Sequence, residues 1–204
     1  MRKGSHLQLN IINQYILFNF IIPLYPYQQL KQVGEDVYIS SNVEIKRPHL
    51  VSVGNHIAID SGFYCTTALE MGDYIHISPY VTCIGGEGGY LKVAGFNNIM
   101  AGARIICVSD KFDDSGLFGA MIPSKYLGIR IMAPVSLEPF SNVGTNAVIL
   151  PGSTLRIGSL LTVGSVLIGD TEPWTVYKGN PAKATKKIDG KVAIEYAKEL
   201  GYEF

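Results

Sequence analysis

Few side chains in this sequence can move protons or hold charge at a site, and they are unevenly spread. Ser109, Asp110, Lys111, Asp113 and Asp114 fall within the single run SDKFDD. Carboxylates and a hydroxyl so placed could orient an attacking group and accept its proton, although a carboxylate is a weak base at neutral pH unless burial raises its pKa. Each also has a plain structural use, Asp110 as a turn residue bonding its own backbone and Asp113 with Asp114 as a solvated charge pair. His76 directly follows Ile75 and carries the one side-chain type that titrates near neutrality without help. The run Gly85-Gly86-Glu87-Gly88-Gly89-Tyr90 is not a phosphate loop, because no Gly-Lys-Ser/Thr follows. It reads as a flexible turn that exposes Glu87 and Tyr90. Lys178, Lys183, Lys186 and Lys187 form a basic cluster, suited to phosphate groups or simply solvated. Cys65, Cys83 and Cys107 are odd in number and fit no zinc or CxxC spacing, which points to a reduced, cytoplasmic setting.

Bulk composition narrows the partners. The 204 residues carry 17 basic and 17 acidic side chains, so no net charge draws the chain to nucleic acid or acidic membrane. With 47% hydrophobic and 17% charged residues it can bury a large core and is not disordered. The apolar run Tyr15 to Leu24 follows Arg2 and Lys3, but Asn19 interrupts it and Pro23 closes it. It is too short to span a bilayer and lacks a cleavage site; residues 1–36 read as an N-terminal packing segment.

What must position these residues is a repeat. Every sixth residue from Ile57 reads Ile57, Phe63, Leu69, Ile75, Val81, Glu87, Val93, Ile99, Ile105, with only Glu87 breaking the series. A second series runs Ile131, Leu137, Val143, Ile149, Leu155, Leu161, Leu167. The fourth residue after each is mostly small: Ser61, Thr67, Gly85, Ala103, Ser109, Ser141, Ala147, Ser153, Ser159, Ser165. One large aliphatic and one small residue per six is neither the helical period nor simple alternation. It fits a short strand and a tight corner, repeated three times per coil, so that residues eighteen apart stack at roughly 4.8 Å. Ile57, Ile75 and Val93 are then expected in one column, Leu137 and Leu155 in another. A β-sandwich would instead need turn signals every eight to twelve residues.

This gives an all-β solenoid of about six coils over 37–170, interrupted by an excursion at 111–130. Phe112, Leu117, Phe118, Met121, Ile122 and Tyr126 make that excursion too apolar to stand alone in solvent. The tail 171–204 contains VAIEYAKEL, a short amphipathic helix able to cap the solenoid edge. Trp174 beside Pro173 is expected to close the end of the solenoid.

LPGSTLRIGSLLTVGSV followed by EPWTVYKGNPAKATKK resembles the hexapeptide-repeat acyltransferases, whose fold is a left-handed parallel β-helix. The most specific part is Gly179-Asn180-Pro181-Ala182-Lys183 after the last coil, and SDKFDDSGLFGAMIP looks like the extruded loop of the branch acting on sugars and nucleotide-linked amino sugars. The resemblance implies a homotrimer with sites between subunits and an acyl-CoA donor whose adenosine end lies near the C-terminal coils. It also implies direct attack of an acceptor amine or hydroxyl on the thioester, with no acyl-enzyme, no metal and no tightly bound cofactor, in a role such as cell-surface polysaccharide biosynthesis.

The chain departs from the family where the chemistry sits. Many members carry a His just before the extruded loop; here that place reads Cys107-Val108-Ser109-Asp110-Lys111. A sugar hydroxyl needs a base poised near neutral pH, whereas a neutral amine attacks a thioester with only a carboxylate to orient it and take its proton late. Asp110 in place of His therefore favours an amino acceptor over sugar O-acetylation. Loss of the His by itself favours a catalytically silent scaffold, but the retained long loop and the Gly179–Lys183 tail, which a scaffold does not need, favour the enzyme. By the same resemblance Asp110, His76 and Ser109 are the catalytic candidates, and Glu87, Tyr90, Asp113 and Asp114 the acceptor-binding ones. Lys178, Lys183 and Lys187 are placed at the donor's phosphates, and the backbone near Gly144 and Ser165 along its pantetheine arm.

Overall fold

The hexads build three flat faces. In the computed structural model, which describes residues 25–204, all strands within each face pair in parallel. The first face runs from Gln32–Val33 through Val51–Val53 to Thr154–Leu155. The second runs from Val37–Ile39 through Ile57–Ile59 to Thr175–Gly179. The third stacks Glu44–Ile45, Tyr64–Cys65, Thr82–Ile84, Arg104–Ile106, Val148–Ile149 and Val166–Leu167. Two long strands, Ala68–Ile77 and Tyr90–Ile99, bend across the corner from the first face to the second. The β-helix makes about seven turns, one more than expected. Among the described residues the first ladder is that of Gln32–Val33, and Tyr25 and Leu30 pack into the core. The rest of the expected N-terminal packing segment, residues 1–24, lies outside the described residues.

The hexad aliphatics point inward. Phe63, Val81, Val93, Ile99, Ile105, Val143, Ile149, Leu155 and Leu161 are fully buried, each worth roughly 1.5–3 kcal/mol of transfer free energy. Ile57 stacks on Ile75, and Leu137 on Leu155, as expected. Val93 does not join the first column: it pairs with Met71 and Leu137. The Gly85–Gly89 turn lengthens that coil, so that Ile77 stacks on Ile99 and Asn97 faces Ile75. Asn97 is buried there, its amide donating to the carbonyls of Glu138 and Ser141.

Ile131 is the second departure. It is 44% exposed, because the excursion is a hairpin whose stem pairs Val108–Asp110 antiparallel with Arg130–Met132. The excursion thus runs from 108 to 132 rather than 111 to 130. Its apolar tip is open in the single chain, Phe112 at 81% and Met121 at 94% exposure.

The corner between the first and second faces holds Asp36, His56, Tyr74, Phe96, Phe140 and Trp174, all at positive φ. This conformation costs non-glycine residues about 1–2 kcal/mol each. Ring stacking offsets it, with centroids 4.5 Å apart for His56–Tyr74, 5.0 Å for Tyr74–Phe96 and 5.1 Å for Phe96–Phe140. Trp174 extends the column, 5.8 Å from Phe140, at the end of the solenoid as expected. The last rung is covered by an antiparallel hairpin, Thr175–Gly179 with Ala182–Lys187, whose lysines line the free edge. The expected helix follows as α1 (Lys191–Glu199), with Ala197 its buried contact. Tyr202 and Phe204 then pack edge-on against the aromatic column.

Candidate active site

The acceptor-side candidates other than His76 gather at the corner between the third and first faces. There the Thr66 hydroxyl accepts the N–H groups of Gly85 and Gly86 at 3.2 and 3.3 Å. A Cβ on Gly85 or Gly89 would fall 2.6 or 2.4 Å from Thr67 Oγ1, so only glycine lets the turn lie this close to the coil. Glu87 stands exposed at its tip. Tyr90 donates its hydroxyl to Glu70 Oε2 at 2.7 Å, and Lys92 lies 3.6 Å from Glu70 Oε1. Partial burial, then the Glu70 carboxylate, push Tyr90 up to about 12, so it is a phenol and a donor at neutral pH.

The stem of the excursion stands against this turn: a Cβ on Gly88 would meet Met132 Sδ at 2.4 Å. On the stem, Asp110 and Arg130 are direct cross-strand partners, with Arg130 Nε 3.3 Å from Asp110 Oδ1. Ser109 makes only a long 3.4 Å contact to the Asp110 carbonyl. Lys111 is paired with Asp113 at 2.9 Å. The Ser115 side chain, then Lys111, hold Asp113 down at about 2, so it is ionised throughout the neutral range; Asp114 is exposed beside it.

His76 is elsewhere. It sits on the second face between Ala58 and Asn98, with Nε2 2.9 Å from Asp60 Oδ2. The third-face strands Thr82–Ile84 and Arg104–Ile106, with Tyr90–Ile99 between them, separate it along the chain from the excursion, which leaves at the corner between the third and first faces. Within one chain His76 and Asp110 therefore lie on different sides of the triangle.

The donor candidates collect at the C-terminal coils. The N–H of Gly144 is bonded to the Leu161 carbonyl at 2.7 Å and that of Ser165 to the Thr162 carbonyl at 3.2 Å, so neither N–H is open to a pantetheine amide. Ser165 Oγ accepts the Gly179 N–H at 2.9 Å, joining the last coil to the Gly179–Lys183 motif. Lys178 and Lys183 face each other directly across the terminal hairpin, while Lys187 is tied to Glu172 at 2.5 Å. Like charges held opposite one another repel, and a phosphate between Lys178 and Lys183 would relieve that.

The cysteines are core residues, all free and buried. Burial pushes the Cys107 thiol up to about 11, which removes it as a nucleophile at neutral pH. Among the described residues no group of three or more His, Cys, Asp or Glu side chains could hold a metal ion, and no helix is long and apolar enough to cross a membrane.

Sequence reasoning missed two partners, Arg130 for Asp110 and Asp60 for His76. Arg130 meets Asp110 only once 108–110 and 130–132 are taken as the two strands of a stem. Asp60 depends on coil register and had no local signal.

No protein-family model matches the chain. It is 28% identical over 167 residues to the dTDP-4-amino-4,6-dideoxy-D-glucose acyltransferase of Escherichia coli, covering 79% of this chain and 84% of that protein. Its structure is similar to a mutant of AntD, an N-acyltransferase from Bacillus cereus solved with dTDP-4-amino-4,6-dideoxyglucose and coenzyme A, with a TM-score of 0.81, 25% identity, and 87% and 97% of the two chains covered. A hexapeptide-repeat containing acetyltransferase from Vibrio cholerae shares the fold, at a TM-score of 0.53 and 17% identity over 79% of this chain and 76% of that one. The resemblance seen in the sequence therefore holds: the chain is similar, over most of its length, to hexapeptide-repeat acyltransferases of the branch acting on nucleotide-linked amino sugars.

Proposed function

We propose that this protein transfers an acetyl or short acyl group from acyl-CoA to the amino group of a nucleotide-linked sugar. The observation that carries the reading is Asp110 on the stem of the excursion, where a hydroxyl-acylating relative would present an imidazole. It is joined by the likeness to proteins whose names and bound ligands are amino sugars and coenzyme A. In the reaction the acceptor nitrogen's lone pair forms the C–N bond to the thioester carbon, the C–S bond breaks, and the sulfur leaves with its electron pair. The proton that the nitrogen loses passes to Asp110 and then to the departing thiolate, giving an amide and free CoA thiol.

The working unit is a homotrimer in the cytoplasm, serving cell-surface polysaccharide biosynthesis. The open apolar tip around Phe112 and Met121 supports assembly, since contiguous exposed apolar surface marks an interaction site. Assembly would let the Asp110 corner of one subunit face the His76 side and C-terminal coils of its neighbour, reuniting the two groups of candidates. Glu87, Tyr90, Asp113 and Asp114 then line the acceptor side. Lys178 and Lys183 meet the donor's phosphates, and Ser165, with the chain near Gly144, flanks its arm.

The His76–Asp60 pair supports a second reading, O-acylation with His76 as base, because a carboxylate that accepts one ring N–H leaves the other nitrogen basic. A thiol-release assay of acetyl-CoA against nucleotide-linked amino sugars, beside controls with hydroxyl in place of amine, separates the two. Release with the amino sugars alone supports the proposal; release with the hydroxyl sugars supports the second reading.

A further inference from the structure

An amine is a nucleophile only when it is neutral, yet ordinary aliphatic and α-amino groups are largely protonated at pH 7. A carboxylate beside the acceptor makes this worse, because an opposite charge favours the ammonium form. The stem of the excursion contains the counterweight. Asp110 and Arg130 are pinned opposite each other by the ladder Val108–Met132, Ser109–Ile131, Asp110–Arg130. Beyond it, the Lys111 N–H is bonded to the Ile129 carbonyl at 2.8 Å and the Ala133 N–H to the Cys107 carbonyl at 3.0 Å. Contact is made through Arg130 Nε and Asp110 Oδ1, so Oδ2 has no protein partner among the described residues.

The other charges at this corner do not duplicate Arg130. Lys111 is paired with Asp113 and Lys92 with Glu70, whose other oxygen accepts the Tyr90 hydroxyl, while Glu87 on the adjoining turn and Asp114 are acids. Arg130 is the cation in contact with Asp110. The pair is partly exposed, 42% and 25% by side chain, and ion pairs of that kind add little to stability.

We infer that Arg130 is a positioning residue for the acyl transfer: it holds Asp110 by one oxygen, leaves the other to accept an N–H of the acceptor, and by its charge drives the bound amine to the neutral, attacking form. This rests on the amino-sugar reading above. A like charge close to an ionisable amine lowers its proton affinity, as a neighbouring cation does for catalytic lysines. The ammonium proton leaves to solvent on binding; of the two N–H protons that remain, one follows the path through Asp110 to the thiolate and the other stays in the amide.

Calorimetric titration of the protein with dTDP-4-amino-4,6-dideoxyglucose, in two buffers of different ionisation enthalpy, reads that proton directly. For an amine of pKa roughly 8 lowered by about one unit, binding at pH 7 releases roughly 0.4 proton. Arg130→Gln should abolish the release or reverse it to uptake, and Arg130→Lys, which restores the charge, should recover most of it. In the kcat–pH profile with acetyl-CoA, the acid limb of Arg130→Gln should move up by about one unit. Proton release and limb unchanged in a folded Arg130→Gln variant would overturn this inference alone. A wild-type protein that binds no amino nucleotide sugar would overturn the amino-sugar reading and this inference with it.

Discussion

Trp174 lies over Gly158, so close that a Cβ on Gly158 would fall 2.0 Å from its ring. Gly158 is the ring-free position in the aromatic column of the first-to-second corner, and Trp174 fills the space to reach Phe140. Gly164 adopts nearly the same φ, +65° against +64°, with nothing within 4 Å of its would-be Cβ. Gly164→Ala should therefore cost only the left-handed backbone penalty, about 1 kcal/mol. Gly158→Ala should add overpacking and cost about 3 kcal/mol. Urea unfolding of the two variants checks this; equal losses would mean that Trp174 can move aside freely.

The C-terminal tail is clasped to the middle of the solenoid by Tyr202, whose hydroxyl donates to Asp73 Oδ2 at 2.6 Å. That hydrogen bond, then partial burial, lift Tyr202 from 10.0 to about 12. A raised folded pKa means that the clasp contributes fully below pH of about 10 and is lost as pH rises through about 12. At the acid end, burial pushes Asp73 upward, but the Asn55 N–H and the Tyr202 hydroxyl outweigh it and hold it below 3.8. Its contribution is thus present above that value and lost on acidification below it. The ultraviolet titration of wild type minus Tyr202→Phe should show one tyrosine ionising near pH 12, and a midpoint near 10 would contradict the clasp.

The pairing of Lys187 with Glu172 changes which lysines should matter for the donor. Replacing Lys178 and Lys183 together by Ala should weaken CoA binding several-fold, and the loss should shrink as salt screens the interaction. Lys187→Ala should have little effect. Calorimetry with CoA at two ionic strengths decides; the reverse ranking would place the phosphates elsewhere.

Asp110→Asn keeps the shape of the side chain and removes its charge. General-base contributions are typically about 10²–10⁴-fold in rate, so kcat should fall by at least the lower figure with CoA affinity nearly unchanged. His76→Ala should act mainly on acceptor KM. A large kcat loss for His76→Ala with little for Asp110→Asn would make His76 the base and favour a hydroxyl acceptor.

How far the sequence could be read follows from geometry. The inward columns were legible because a coil of three short strands puts one aliphatic inside at every sixth residue, as Val143, Ile149, Leu155, Leu161 and Leu167 do without a break. The shift at Val93 was not. Tyr90–Ile99 is one long strand with alternate residues buried, so an insertion that lengthens the coil by an even number of residues still leaves hydrophobics at the counted places. The candidate site divided in the same way. Ser109 and Asp110 were marked by their place beside the excursion, while Arg130 meets Asp110 only through the stem ladder and Asp60 meets His76 only through the stacking of coils.

The most direct test of the central claim is the chemical identity of the bond formed. Incubation with acetyl-CoA and an equal mixture of an amino nucleotide sugar and its hydroxyl analogue should acetylate the amino sugar alone. The product should survive neutral hydroxylamine, as an amide does. Acetyl transfer to the hydroxyl analogue, lost on hydroxylamine treatment as an ester is, would contradict the account.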